Sequence, residues 1–361
     1  RARLSDALYF YQQDSKTPLK NHRPQLDHIV FQNQLGSIGD KIQRIQCISK
    51  QISSLFEANS VFLEQACDLA KCDLLSQMVY EFPELQGTMG AYYAERVDKV
   101  PTPVATAIAE HLLPRFASDT LPQTPEGLVL AISDRIDTLY GIFAIGMLPT
   151  GTKDPYALRR QAIAILRMIV EKSHALSLTA LIAAAQHAYP PALQDKKTAA
   201  LLLGFFKERL KYWLQDNDQI PLDISDAVLA VTDEPFHAFC RAKALIAFKK
   251  RPEASALAAA HKRVHNILAK TQEDSHQSIL VQHFELPIEH TLFEKLDQLQ
   301  GSHDHAYLLE QLASLQPVVD AFFEEVLVMS PNLEVRANRI ALLKKLHGAF
   351  CLVADLSYLQ S

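Results

Sequence analysis

The chain has 361 residues, more than the ~250 to 300 at which a single core stops growing, so two or three domains are expected. Only 11 glycines among abundant Leu, Ala, Gln and Lys read as a mainly helical chain, and 36 basic against 41 acidic residues exclude a global positive field. Five scattered cysteines, Cys47, Cys67, Cys72, Cys240 and Cys351, exclude a disulfide framework or zinc knuckle, and no apolar run reaches the ~18 residues of a membrane span.

The sequence opens at Arg1, inside a helix-like pattern and without an initiator Met, which points to a fragment whose amino-terminal part is absent. Apolar Ile42, Ile45, Ile48, Ile52 and Leu55 then recur at steps of three and four, so an amphipathic helix is expected over 40–56 after the turn at 36–39. A second helix is expected over 63–78, a break at 82–87, and a further helix over 103–113 that ends at Leu113-Pro114. Leu130, Ile132, Ile136 and Leu139 mark a helix over 127–143. Asp154-Pro155 reads as an N-cap with proline at the first helical position, opening a long helix whose buried side carries Leu158, Ile165, Leu166 and Ile169.

Proline breaks at 190–191, 221 and 235 bracket short helices, so 173–240 is expected as a helical connector between domains at 1–172 and 241–361. In the last of these, Val319, Phe322, Phe323 and Val326 follow Pro317 at helical spacing, and Leu342, Leu343, Leu346, Phe350 and Val353 share one arc of a final helix. The stretch 241–263 carries seven basic residues, among them Lys262 and Arg263, against Glu253 alone, whereas 273–310 is mostly acidic. No phosphate-binding GxxxxGK[ST] loop, GxGxxG turn or GxSxG elbow occurs, and the adenylation signatures of aminoacyl-tRNA synthetases are missing.

In several stretches the chain nevertheless resembles the carboxy-terminal half of the β subunit of the bacterial two-subunit glycyl-tRNA synthetases. They include Arg1-Ala2-Arg3-Leu4-Ser5-Asp6-Ala7, Glu81-Phe82-Pro83-Glu84-Leu85-Gln86-Gly87, Lys153-Asp154-Pro155-Tyr156-Ala157-Leu158-Arg159-Arg160 and Lys262-Arg263-Val264-His265-Asn266-Ile267-Leu268. The resemblance implies an all-α fold: an HD-like helical domain at 1–172, the connector, and a helical-bundle anticodon-binding domain at 241–361 similar to that of arginyl-tRNA synthetase. It implies an α₂β₂ ligase of protein biosynthesis in which ATP and Mg act at the α subunit, while this chain needs no cofactor, catalyses nothing alone, and holds glycine-acceptor tRNA. Active HD phosphohydrolases hold a water-activating metal on a histidine, a His-Asp doublet and a later aspartate. The corresponding positions here look like Gln32, Cys72-Asp73 and Asp134, a degenerate set in which the aspartates remain as caps or ion-pair partners; His111 is a possible substitute ligand.

Several residues carry two readings. Arg159 and Arg160, in the first turn of a helix, oppose its dipole and call for an anion, either Asp154 or Asp134, or a tRNA phosphate or α-subunit carboxylate. His261 and His265 stand one turn apart, a zinc-capable spacing, but no third ligand at motif spacing accompanies them and a solvated basic face is favoured; the same applies to His303-Asp304-His305. Lys262, Arg263, Arg336 and Lys344 are expected phosphate contacts. Arg339, inside the apolar arc, is either ion-paired, with Glu324 or Glu325, or a base reader. Against the tRNA-binding reading stand a metal-dependent HD phosphohydrolase and a non-catalytic helical adaptor.

Overall fold

The computed structural model describes residues 2–271, 278–299 and 304–359. Apart from one small ribbon, in which β1 (Val30–Gln32) pairs antiparallel with β2 (Gly36–Ser37), its regular elements are helices. They are α1 (Ala2–Asp14), α2 (Ile38–Ile52), α3 (Ser60–Leu69), α4 (Gln77–Glu81), α5 (Thr88–Arg96), α6 (Thr102–Glu110), α7 (Pro125–Ala144) and α8 (Leu158–Glu171). There follow α9 (Leu178–Ala188), α10 (Lys196–Asp218), α11 (Leu222–Leu229), α12 (Pro235–Lys249), α13 (Pro252–Lys270), α14 (Pro287–Asp297), α15 (His305–Glu325) and α16 (Leu333–Phe350).

Two compact units result, residues 1–210 with 234–236, and residues 211–233 with 237–361. The division falls inside α10, a helix of 23 residues, so the stretch 173–240 is shared between the units instead of linking them by short helices. Its α9 packs on α2 and α7 of the first unit, while α11 packs on the turn Leu356–Tyr358 of the second. Arg241, the expected start of the last domain, lies inside α12.

The first unit is built around α7, which Thr124 caps and which is buried on every side from Glu126 to Phe143. A helix buried all round needs neighbours on all faces, and α2, α3, α6, α8 and α9 supply them. On α2, Ser37 and Asp40 form a reciprocal capping box, and Ile42, Ile45, Ile48 and Ile52 face the core as the spacing predicts. In the second unit α13 packs on α15 and α16, and α14 on both of these. Leu342, Leu343, Leu346, Phe350 and Val353 are all fully buried there.

Two local expectations fail. The helix over 63–78 is broken into α3, the 3-10 turn Cys72–Leu75 and α4, because Asp73 turns inward to accept amides from Gly87 and Gly90 and Ser76 caps a new helix. α8 begins at Leu158 rather than beside Pro155; Asp154 reaches forward to accept from the amides of Leu158 (2.8 Å) and Arg159 (3.0 Å). α15 runs through Pro317.

Candidate nucleic-acid interface and the HD-like positions

A buried charge network fills the place where the HD resemblance looks for a metal. From α2, Lys41 Nζ lies 2.9 Å from a carboxylate oxygen of Asp134 and 2.9 Å from one of Asp137, and donates to Thr138 Oγ1 at 2.7 Å. Arg44 Nε donates to Asp137 at 2.6 Å. Lys71, from the turn after α3, donates to the second oxygen of Asp134. Burial alone would lower the Lys41 pKa, yet Asp134 and Asp137 more than offset it and hold it above the usual lysine value. Desolvation works against the Asp134 anion too, but Lys41 and Lys71 hold its pKa well below the carboxylate range. Both oxygens of the aspartate thus carry ammonium groups.

The other HD-like positions do structural work of their own. Gln32 Oε1 accepts from the amides of Gln34 (2.6 Å) and Leu35 (3.2 Å), shaping the turn between β1 and β2. Cys72 is fully buried, its thiol pushed up to about 12 by desolvation and directed at Asp68 O. Asp73 Oδ2 accepts from Gly87 N (2.6 Å) and Gly90 N (3.1 Å), and burial raises its pKa to about 6. Side-chain-free residues are needed there: Gly87 has φ +79°, and a Cβ on Gly90 would lie 2.7 Å from the carboxylate. His111 is fully buried with Nδ1 2.6 Å from Ile108 O, and desolvation lowers its pKa to about 3. Among the described residues the one trio of His, Cys, Asp or Glu side chains able to meet at a metal is His261, His347 and Cys351, far along the chain from these positions. Lys41, Arg44 and Lys71 were missed by sequence reading, although Lys41 sits on the same arc of α2 as Ile45, Ile48 and Ile52, where a lysine is out of place.

At the start of α8, Asp154 supplies the anion that the first turn calls for, while Arg159 is half-buried and Arg160 exposed. In the second unit the cationic side chains diverge. Lys262 and Arg263 are adjacent on α13 but lie either side of its buried seam of Leu257, His261 and Val264. Lys262 lines a groove of about 510 Å³ with Lys249, Ala254, Ser255, Ala258 and Ser357. Arg263 instead lays its guanidinium 4.4 Å from the ring centre of Phe323 on α15. On α16, Lys344 is exposed and Arg336 half-buried.

Arg339 differs from the base reader considered above. It is 3% exposed, and its guanidinium donates to Glu289 (2.8 Å), Glu285 (2.9 Å) and Leu327 O (3.0 Å). With these bonds made inside the unit, its task is to tie α14 and the loop before α16 together; the partners are Glu285 and Glu289, not Glu324 or Glu325. The histidines also differ from a solvated face: His261 is fully buried and pairs with His347, while His265 is exposed. Asp304 caps α15, His305 opens that helix, and His303 lies outside the described residues.

Residues 1–230 match the family model described as glycyl-tRNA synthetase beta subunit, and residues 257–352 that of the DALR anticodon binding domain. The chain is 45% identical over 370 aligned positions to a glycine–tRNA ligase beta subunit of Chromohalobacter salexigens, covering 100% of this chain and 53% of that protein. It is 43% identical to one of Coxiella burnetii (99% and 53% covered) and 42% identical to one of Acinetobacter baumannii (100% and 53%). The chain therefore spans about half the length of the curated relatives it matches.

Proposed function

The chain belongs to the glycyl-tRNA synthetase beta-subunit family, and from that premise we propose that it is the tRNA-holding part of a glycine–tRNA ligase, with the second unit as the anticodon platform. The observation that carries this reading is a set of accessible cations, Lys262 and Arg263 on α13 and Lys344 on α16, on helices that match an anticodon-binding domain in a chain of net charge −5. Such local patches contact RNA through phosphates and shape, without a global field. Half-buried Arg336 adds a fourth phosphate contact, whereas Lys249, at the groove beside Lys262, is ion-paired with Asp223 at 2.7 Å. Arg339 acts by fixing the frame that presents these groups.

In the same reading, the first unit is a structural HD-like body whose Arg159 and Arg160 meet a tRNA phosphate or a carboxylate of a partner α subunit. ATP and Mg act on that partner, in an α₂β₂ assembly of the cytoplasm, where glycine is joined to the tRNA. The test is reversal of charge at Lys262, Arg263, Arg336 and Lys344 together, with tRNA affinity measured across salt. Each lost phosphate contact should flatten the slope of log K against log salt by ~0.7 to 0.9, similarly for all tRNAs. Unchanged affinity and slope, with helicity intact by circular dichroism, would move the platform elsewhere.

A further inference from the structure

A second set of side chains in the C-terminal unit is assembled with ligand chemistry that RNA binding does not use. His261 of α13 is fully buried, and its Nε2 lies 2.8 Å from Nδ1 of His347 on α16. Cys351, one helical turn beyond His347, has its Sγ 3.7 Å from His347 Nε2. One ligand atom from each of the three lies within 4.8 Å of the other two. Behind them, Asp355 Oδ1 stands 3.4 Å from His261 Nδ1. Asp355 is itself fixed: its carboxylate accepts from Ser357 N (3.0 Å) and Oγ (2.6 Å), and its amide donates to Ala227 O (2.8 Å). The Phe350 ring, 4.7 Å away between centroids, closes another side of His261.

We propose that His261, His347 and Cys351 form a binding site for a thiophilic divalent cation of the zinc class, with Asp355 orienting His261 and water completing the tetrahedron. A carboxylate on the far ring nitrogen fixes a ligating imidazole's tautomer and turns Nε2, with its lone pair, toward a metal; His261 Nδ1 is buried without a hydrogen-bond partner, and Asp355, 3.4 Å away, is placed to accept from it once the ring shifts on binding. Two imidazoles and a thiolate select a borderline-soft ion over Mg or Ca, which take oxygen ligands. Tetrahedral bonds of ~2.0 Å to nitrogen and ~2.3 Å to sulfur set ligand atoms ~3.3 to 3.6 Å apart, so the two rings would separate by about half an ångström and the Cys351 sulfur, which faces Nε2 of His347, would swing toward the Nδ1 that His261 faces. On binding, the Cys351 S–H bond breaks, the sulfur keeps the electron pair and donates it to the cation, and the proton leaves to solvent. The site would clamp α13 to α16, the helices that also carry Lys262, Arg263 and Lys344.

The experiment is a titration of the chelator-stripped chain with zinc against a chromophoric chelator, and in parallel with cobalt(II), whose thiolate charge-transfer band reports a sulfur ligand. One equivalent of zinc and a cobalt–thiolate band are expected. His347→Ala and Cys351→Ser should each weaken zinc by at least ~100-fold, and Asp355→Asn by ~10 to 100-fold. Substoichiometric zinc, a cobalt spectrum without the thiolate band, or zinc held as tightly by Cys351→Ser would each overturn the proposal. The cobalt spectrum is read on the unaltered chain, so it decides the matter even where a variant fails to fold. Loss of tRNA binding in the charge-reversed protein leaves this result untouched, since none of those four residues is a ligand.

Discussion

Arg339 is a cation that the apolar arc of α16 carries into the interior, where its cost is met by Glu289 and Glu285 and by the carbonyl of Leu327. Removing one member of a buried pair leaves the other charge unmatched, which typically costs about 3–5 kcal/mol. Arg339→Met should therefore destabilise the second unit by about that amount in urea unfolding, with Glu289, which is fully buried, as the stranded charge. A variant of normal stability that loses only cognate tRNA affinity would return Arg339 to base reading. Asp73 presents the opposite sign. Desolvation raises its pKa to about 6 against the amide bonds from Gly87 and Gly90, so the folded state favours the proton. The stability it contributes is complete below the unfolded value of ~4 and is lost as pH rises through about 6. Measured against Asp73→Asn, which cannot titrate, the unaltered chain should lose on the order of 3 kcal/mol more between pH 4 and pH 7. Parallel pH profiles for the two proteins would show that the carboxyl is ionised at no cost.

Helix ends decide what periodicity leaves open. α2 was legible because a regular isoleucine spacing follows a turn, although the capping box of Ser37 and Asp40 starts it at Ile38 and not at Asp40 as expected. The break between α3 and α4 was not, since it is caused by amides at Gly87 and Gly90 that are distant in sequence from the aspartate they bind. α15 runs through Pro317, where burial of Leu308, Leu312, Leu315, Val319 and Phe322 outweighs one missing backbone bond. At α8 the N-cap is Ala157, not Asp154, although Asp154 still accepts from the amides four and five residues ahead. Its replacement by alanine should cost about 1–2 kcal/mol, through two lost amide bonds and the exposure of Arg159 and Arg160 to an uncompensated dipole. Thermal unfolding of Asp154→Ala beside Asp154→Asn measures this. Asparagine should retain part of the cap, and equal losses would assign the effect to charge alone.

Over the whole chain, exposed cations were readable in the sequence and buried pairings were not. Lys262 and Arg263, from the basic run over 241–263, and Lys344 are accessible, but no sequence spacing relates His261 to His347 and Cys351 or Lys41 to Asp134, because those pairings join helices through the core. The same internal bonding bears on chemistry. Helix N-termini bind phosphate through free amides; here Ser37, Asn59, Ser76, Thr124, Ser177, Asp304 and Asn332 accept from the first-turn amides of their own helices. Gly87, the left-handed glycine that opens α5, gives its amide to Asp73. Among the described residues the first turns of α6, α11 and α13 carry no side-chain cap, but no glycine-rich loop that would cradle a nucleotide triphosphate occurs in the sequence. The purified chain should accordingly show only background glycine-dependent exchange of pyrophosphate into ATP, while retaining salt-sensitive tRNA binding. Exchange above background that survives removal of contaminating synthetases would place adenylation on this chain and end the division of labour proposed for it.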